Sequence, residues 1–377
     1  MKRFDYVIAG SGAAGLTLAF LLMRSENTKK STLIIDRSAK NSNDRTWCFW
    51  EKGPNLLENL VFKNWSAGCL YHPSFEKCYS LTPYQYKMIR GIDFYEYMQS
   101  HLDQFPQIER IQADVQEITT KGEVITDRGS FKGGLVFDST KGPQDFEGID
   151  DSNYLLQHFK GYFLKTEQPK FNPDQFTYMD FRLPQEGDFR FGYVLPFSKT
   201  EALVEYTLFN KELLSDEDYN KGLHHYIDEV LQLGPYHVNE VEQGVIPMTD
   251  YAFPLKISDR VYRIGISGGF AKPSTGYTFL RGQHILKKLV SNLNEGLQPD
   301  HMLPYQSVKY KKYDSTLLRV LSSKDNHGDQ VFADMFRKNG MLTMFRFLDE
   351  ETSLREELGV MSSTPIFKFG KAFLKSL

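Results

Sequence analysis

The chain has 377 residues but only three cysteines, Cys48, Cys69 and Cys78, and only three tryptophans. The cysteines stand at no zinc or redox spacing, and their odd number suits a reducing compartment. The nine histidines form no metal pattern, so no metal site is expected. There is no surplus of positive charge: the formal net charge is -3, and Lys and Arg are dispersed. That excludes bulk electrostatic attraction to nucleic acid, and no nucleic-acid motif is present. No stretch is apolar enough to predict a transmembrane helix. Internal repeats and low-complexity segments are lacking, so a solenoid or a long disordered linker is excluded. Aromatic residues, by contrast, are plentiful, with 29 Phe and 21 Tyr making up most of a 14% share. Large cores would account for them, as would a deep apolar cavity.

The most informative segment is the first. An apolar run, Tyr6-Val7-Ile8-Ala9, leads into Gly10-x-Gly12-x-x-Gly15 and then into a Leu- and Ala-rich helix. A second apolar run, Leu33-Ile34-Ile35, ends on Asp36. Strand, glycine loop, helix, strand and acidic residue in that order form a dinucleotide fingerprint. Gly10 permits the tight turn, Gly12 lets a pyrophosphate approach the backbone, and Gly15 lets the helix pack on the sheet. Ala13 and Ala14 open the helix, whose free N–H groups would face the phosphates. Asp36 is expected to accept hydrogen bonds from a ribose, and Arg37 to touch the ribose or a phosphate. The basic start and the uncharged stretch from Tyr6 to Met23 could also suggest a secretory leader. Asp5 at the boundary, the three glycines and the lack of a small-residue cleavage site argue against it.

Further along, Leu135-Val136-Phe137-Asp138 is another apolar run ending on an acid, followed by a turn at Thr140-Lys141-Gly142. From about 155 to 250 the chain reads as an antiparallel sheet, with strand-like runs at 162–166, 189–195 and 202–209 and helix near 216–233. Val261 to Gly265 is strand-like again, a Gly-rich turn follows, and a helix runs from about Phe279 to Asn294. After Leu303 the pattern is mostly helical. The fold class expected is therefore α/β: a Rossmann-like, discontinuous FAD-binding domain formed by 1–150 and 255–298. An antiparallel-sheet substrate domain at 151–254 is inserted in it, and a helical C-terminal region, 299–377, follows. A nucleotide domain that is interrupted and then resumed suits a flavoprotein better than a simple NAD dehydrogenase.

Several segments carry a more specific signal. Asn43-Asp44-Arg45-Thr46-Trp47-Cys48-Phe49-Trp50 places two tryptophans in a short polar-flanked stretch. Tyr86 to Phe94 contains a Tyr-x-x-x-Arg-x-x-x-Phe element through Arg90. Phe191 to Ser198 is followed by Leu203-Val204-Glu205-Tyr206-Thr207, then by Gly244-Val245-Ile246-Pro247-Met248 and by a late loop from Gly265 to Tyr277. In this order, over nearly the whole chain, they resemble the carotenoid lycopene cyclases, and the bacterial β-cyclases most.

The resemblance implies FAD acting in its reduced form, with NADPH as the expected reductant, and a redox-neutral cyclisation of lycopene to β-carotene. Arg45, Arg90, Asp138, Gly268, Gly269, Pro273 and Gly276 are expected to join the glycine loop in binding FAD. Pro273 and Gly276 would open a helix whose N-terminus faces the flavin carbonyl. Ile266 stands where flavin hydroxylases carry Asp, which argues against a monooxygenase. Two other readings remain on this scaffold: an FAD-dependent isoprenoid reductase and a carotenoid-binding protein without activity.

Cyclisation requires a proton on a terminal C=C, attack of the neighbouring double bond on the resulting cation, and loss of a ring proton. An alkene is a feeble base, so the acid must be close and kept protonated, as burial does for a carboxyl group. Alternation puts Glu205 on a face with Leu203, Thr207 and Phe209, and leaves open a solvent-facing edge residue or a buried acid. The resemblance assigns the acid to Glu205. Tyr206 replaces a second acidic residue of plant relatives. Trp47, Phe49, Trp50, Tyr193 and Tyr277 are candidate substrate contacts whose ring faces would stabilise the cation, by roughly 0.5–2 kcal/mol each. Phe347-Leu348-Asp349-Glu350-Glu351-Thr352 looks like a plant cyclase string but lacks the Leu-Pro-Phe strand before it, and is expected to be an exposed helix face. At the C-terminus, Phe369, Phe373 and Leu377 align on a helix, with Lys368, Lys371 and Lys375 on another face. That basic amphipathic segment would either dock on the core or touch lipid. A cytoplasmic protein held at the inner face of the cytoplasmic membrane is the expectation.

Overall fold

The computed structural model describes residues 1–140, 142, 153–304, 307–323 and 328–375. Lys141 and Leu377 lie outside the described residues. The chain divides into two compact units: Met1–Asn43, Arg90–Asp150 and Tyr251–Ser307 in one, and Asp44–Ile89, Asp151–Asp250 and Val308–Leu377 in the other.

The first unit is a Rossmann-like layer of strands and helices. Strand Lys2–Ala9 runs parallel to Thr32–Asp36 on one side and to Gly129–Asp138 on the other. Ile108–Gln112 extends the parallel sheet beyond Thr32–Asp36, and Val261–Arg263 extends it beyond the end of Gly129–Asp138. The strands are almost unbroken apolar runs because parallel sheets are covered on both faces. An antiparallel flap, Glu123–Thr126 and Val115–Ile118, joins the start of Gly129–Asp138. Helix Ala13–Met23 is buried nearly all round and packs against helix Phe279–Asn294. A hydrogen-bonded chain ties these parts: the Tyr6 hydroxyl donates to Asn27 (2.7 Å), whose amide donates to Asn294 (2.6 Å). The strands expected at Leu135–Asp138 and Val261–Arg263 are present, and both lie in this sheet.

The second unit is built on a seven-stranded sheet. Its order is Tyr236–Thr249, Tyr154–Thr166, Glu201–Asn210, Phe189–Pro196, Gln175–Asp180, Ala67–His72 and Phe75–Ser80. One face is closed by helix Asp216–His225 and the π-turn after it. Tyr219, Leu223, Tyr226 and Ile227 pack there on Tyr162, Leu164, Val204, Tyr206 and Leu208. With its flanking neighbours in place, strand Glu201–Asn210 is buried at every interior position. A small sheet of Thr46–Glu51, Gln85–Arg90 and Lys63–Trp65 and the C-terminal helices complete the unit.

Two expectations are corrected here. Residues 44–89 do not belong with the nucleotide-binding part. Ala67–His72 pairs in parallel with Gln175–Asp180, which draws that segment into the antiparallel unit. The helices from Val308 onward cluster with the same unit rather than forming a region of their own. Second, Cys69 and Cys78 are not free thiols. They sit directly opposite each other in the hairpin of Ala67–His72 and Phe75–Ser80 and are joined as a disulfide, leaving Cys48 as the free cysteine. A cross-strand position brings two side chains together irrespective of any sequence spacing rule.

Candidate active site

In the first unit, strand Lys2–Ala9 ends in the glycine loop. Gly10 has φ +97° and donates its N–H to the Ile35 carbonyl (2.7 Å). A Cβ at Gly15 would lie 1.9 Å from the Gly10 carbonyl oxygen, so the helix reaches the loop only because that position is glycine. A Cβ at Gly12 would meet nothing within 4 Å. The loop thus leaves open space at the residue that caps helix Ala13–Met23, where unpaired N–H groups and the positive end of the helix dipole favour an anion.

The other cofactor candidates of this unit surround loops rather than helix faces. Asp36 accepts from the Ser11 N–H (2.6 Å) and the Ser38 N–H (2.7 Å), so its carboxylate is fixed against the glycine loop. Arg37 is exposed. Asp138, at the end of its strand, accepts from the Thr140 N–H (2.9 Å) and hydroxyl (2.6 Å). Arg90 is oriented by its own segment, donating twice at 2.7 Å to Asp93. Residues Gly265–Gly268 form a 3-10 turn that ends in left-handed Gly269, and a Cβ at Gly265 would lie 3.0 Å from Ala14. The late loop therefore touches the first helix. Pro273 and Gly276 do not start a helix. They belong to a turn in which the Gly276 N–H donates to the Lys272 carbonyl (2.8 Å), and the helix begins only at Phe279. Within that turn the buried Ser274 hydroxyl has no partner among the described residues. Tyr277, half-buried, closes the turn by accepting from the Lys272 N–H (3.0 Å).

In the second unit, strand register builds a row of four residues across the large sheet. Tyr193 lies opposite Glu205, Glu205 opposite Gly161, and Gly161 opposite Glu242. Directly opposed residues share a face, so all four point the same way. Leu203 and Thr207 share that face, as alternation requires, and Val204 and Tyr206 point to the helix-covered side. Gly161 is the gap in the row. A Cβ there would lie 2.6 Å from Glu205 Cγ, which shows that the Glu205 side chain leans over this glycine.

Glu205 is only 8% exposed, and its carboxyl makes no hydrogen bond to any described residue. Burial, and then the charge of Glu242, push its carboxyl well above the ordinary range. Glu242, 3% exposed, accepts from both the Thr46 N–H and the Thr46 hydroxyl at 2.6 Å. Burial pushes it up to about 7, opposed by those two hydrogen bonds and by the positive charge of Arg45. Arg45, expected among the cofactor residues, lies in the second unit, exposed, with its guanidinium donating to Asp44 at 3.3 Å. Cys48 follows Thr46 on the same side of its strand. Burial and the charges of both carboxyls raise its thiol, while the Tyr193 and Tyr86 hydroxyls act the other way. Those two phenols are hydrogen-bonded to each other at 2.7 Å.

The remaining substrate candidates separate by strand phase. Trp47 and Phe49 fall on the side away from Thr46 and Cys48, Phe49 buried and Trp47 half-buried. Trp50 is tied into the core: its indole N–H donates to Asp349 (2.7 Å) and its ring stacks on Phe345 at 4.3 Å. The acidic string is not a helix face. Helix Met341–Leu348 stops before it, Glu350 has φ +65°, and Glu351 accepts from Lys52 (2.6 Å) and Tyr84 (2.7 Å). These contacts hold the Glu351 carboxyl below its ordinary range, the state of an anchor rather than a proton donor.

Glu242, Thr46, Cys48, Tyr86 and Gly161 were missed by sequence reasoning. The sequence pattern hid Glu242. In strand Tyr236–Thr249 the alternation is inverted, with Val241 outside and Glu242 inside.

The comparisons with known proteins follow this geometry. The model of the family "Lycopene cyclase protein" matches residues 5–373. A lycopene beta-cyclase of a Paracoccus species is 26% identical over 290 residues, covering 73% of this chain and 70% of the relative. A chloroplastic neoxanthin synthase of Solanum lycopersicum is 26% identical over 324 residues, covering 80% of this chain. The match spans 62% of that relative's length. Among solved structures, a flavoprotein/dehydrogenase of Cytophaga hutchinsonii superposes with TM-score 0.63 at 13% identity over 99% of both chains. A geranylgeranyl bacteriochlorophyll reductase-like protein of Thermoplasma acidophilum gives 0.60 at 11% identity, over 100% of this chain and 97% of the other. At such identities the likeness establishes the fold. The family match, running over nearly the whole chain, establishes more: this chain belongs to the lycopene cyclase family.

Proposed function

We propose that the protein is a lycopene β-cyclase, converting acyclic lycopene to β-carotene by a proton-initiated, redox-neutral ring closure with reduced FAD. The observation that carries this reading is Glu205. A carboxyl group buried in an apolar strand, unbonded and raised well above its ordinary range, is an acid kept loaded at neutral pH. Protonation of an alkene, a feeble base, needs such a group close at hand. The Paracoccus relative described as a lycopene beta-cyclase supports the same ring type.

The residues of the first unit fit a bound flavin dinucleotide. Open space at Gly12 suits the pyrophosphate, Asp36 stands at the loop for a ribose, and the unpartnered Ser274 hydroxyl offers a polar contact in the late loop. Gly10, Gly15, Arg37, Arg90, Asp138, Gly268 and Gly269 would frame the rest. When bound and reduced, with NADPH as electron source, FAD would supply negative charge able to stabilise a cation. The chain's own part is to protonate, to exclude water and to hold the polyene. Glu205 delivers the proton to the terminal C=C, and Tyr193 lies opposite it in the next strand, on the same face, as a candidate contact for the cation. Trp47 and Tyr277 remain candidates for polyene contact.

Lycopene resides in the bilayer, so the enzyme would have to reach lipid. Among the described residues no helix is long and apolar enough to cross a membrane. Helix Ile366–Leu374 offers surface contact instead. Phe369, Ala372 and Phe373 turn inward, with Phe373 near Tyr313, and the helix lies against Val308–Leu321. Phe367 and Leu374, 95% and 70% exposed, carry the outward apolar side among Lys368, Lys371 and Lys375. The apolar row expected through Phe369 and Phe373 is therefore the docking side, and the lipid-facing role passes to Phe367 and Leu374 in a peripheral attachment to the cytoplasmic membrane.

Gly12→Val is expected to fold normally, because a Cβ there meets no protein atom within 4 Å, and to lose FAD; flavin absorbance and circular dichroism of the purified protein check both. With flavin reduced beforehand, β-carotene should accumulate over many turnovers without matching NADPH oxidation. One NADPH consumed per ring would instead indicate an isoprenoid reductase. Glu205→Gln should cut ring formation at least ~100-fold while FAD and lycopene binding persist, and Glu350→Gln and Glu351→Gln should stay active, as chromatography of the pigments will show. Phe367→Asp combined with Leu374→Asp should reduce sedimentation with anionic lipid vesicles and leave the thermal midpoint unchanged.

A further inference from the structure

Glu242 has no role in the scheme so far, yet its position is not that of a structural carboxylate. It is buried in the same face as Glu205, one strand beyond Gly161, and the only residue between the two in the row has no side chain. Glu205 leans into that gap. The two carboxyls also differ in their surroundings. Glu242 has both oxygens occupied by donors from Thr46 and faces the positive Arg45, an arrangement that suits the ionised form. Glu205 has no donor, which suits the protonated form. Two like charges on one buried face are costly, so ionisation of one keeps the proton on the other.

We propose that Glu242 is a positioning residue for the proton: ionised on Thr46 and separated from Glu205 by Gly161, it keeps Glu205 loaded, so that the pair begins and ends each ring closure holding one proton. The balance is complete without another reactant. Glu205 gives its proton to the terminal C=C, the neighbouring double bond closes the ring, and the ring proton that leaves returns to the pair. Substrate and product are isomers, and no electrons are transferred. The other groups facing the pair are Cys48 and Arg45 on the Thr46 side, Glu240 on the strand of Glu242, and Tyr193 with its partner Tyr86. Arg45 favours the charge on Glu242, Glu240 opposes it, and burial keeps the Cys48 thiol and the Tyr86 phenol neutral.

This inference rests on the cyclase reading for its chemistry but can be tested apart from it. In flavin-loaded protein carrying 13C-labelled glutamate, the infrared band of a protonated carboxyl should persist above pH 7 and vanish in Glu205→Gln. In Glu242→Gln the band should remain at low pH but titrate away at least about one pH unit lower than in the wild type. An unmoved titration in Glu242→Gln overturns the proposal, whatever the substrate proves to be. With lycopene and reduced flavin, Glu242→Gln should keep activity at low pH and lose it earlier on the alkaline side. A uniform loss at all pH values would mean that Glu242 is merely structural and would overturn the proposal while leaving the cyclase reading intact. Gly161→Ala provides an independent check. Displacing Glu205 from the gap should lower the titration of its band, and an unchanged band in a folded Gly161→Ala variant counts against the pairing. If no variant, nor the wild type, makes β-carotene, the cyclase reading fails and the infrared titration still decides whether the two carboxyls act together.

Discussion

Burying two carboxyl groups on one face of an apolar sheet is the constraint around which the second unit is arranged. An ionised carboxylate taken from water without partners costs several kcal/mol, far more than a neutral one. The protein answers differently at the two positions. Glu242 receives two hydrogen bonds from a single residue, Thr46, whose strand belongs to the small sheet. Glu205 receives none and is driven to the neutral state. The small sheet therefore does more than cover the large one: through Thr46 it gives Glu242 the two hydrogen bonds that Glu205 lacks. This also gives a reason why residues 44–89 fold with the antiparallel unit.

The first unit is governed by backbone geometry rather than by charge. Its glycines do different jobs. Gly15 is required by the protein itself, since a side chain there would strike the preceding turn. Gly12 is not: a Cβ there would meet nothing within 4 Å, which leaves room for a pyrophosphate to approach the loop. The place of this loop, between the end of strand Lys2–Ala9 and the start of helix Ala13–Met23, is what points to a nucleotide site in this unit. The late loop follows the same rule, with left-handed Gly269 turning the backbone and Ser274 left buried with an unused hydroxyl.

How much of this could be read from the chain differed by element. The glycine loop, strand Gly129–Asp138 and helix Phe279–Asn294 were legible because their signals are local: an apolar period, a turn residue, an acid at a strand end. Glu205 was legible through its strand and the family motif around it. Glu242 was not, because its importance arises from a partner 37 positions away in the chain that meets it across Gly161. The Cys69–Cys78 link and the placement of Trp50 were hidden for the same reason, since pairing between strands has no signature in spacing. The helix expected at Pro273 failed on turn chemistry: Gly276 in the left-handed region ends a turn rather than opening a helix.

The opposed directions of Glu205 and Tyr206 have a bearing on how such a site can vary between relatives. Tyr206 points to the helix-covered face, where its hydroxyl accepts from buried Arg190 at 2.8 Å. An acidic residue at position 206 would stand on the side of the sheet turned away from Glu205, toward Arg190, which already pairs with Glu186 and Asp188. Neighbours in sequence are thus answerable to different selective pressures, one to proton chemistry and the other to the attachment of a helix. A doublet of acids along this strand would add charge to the protein without adding a second acid to the site; a second acid has to arrive sideways, from the next strand but one.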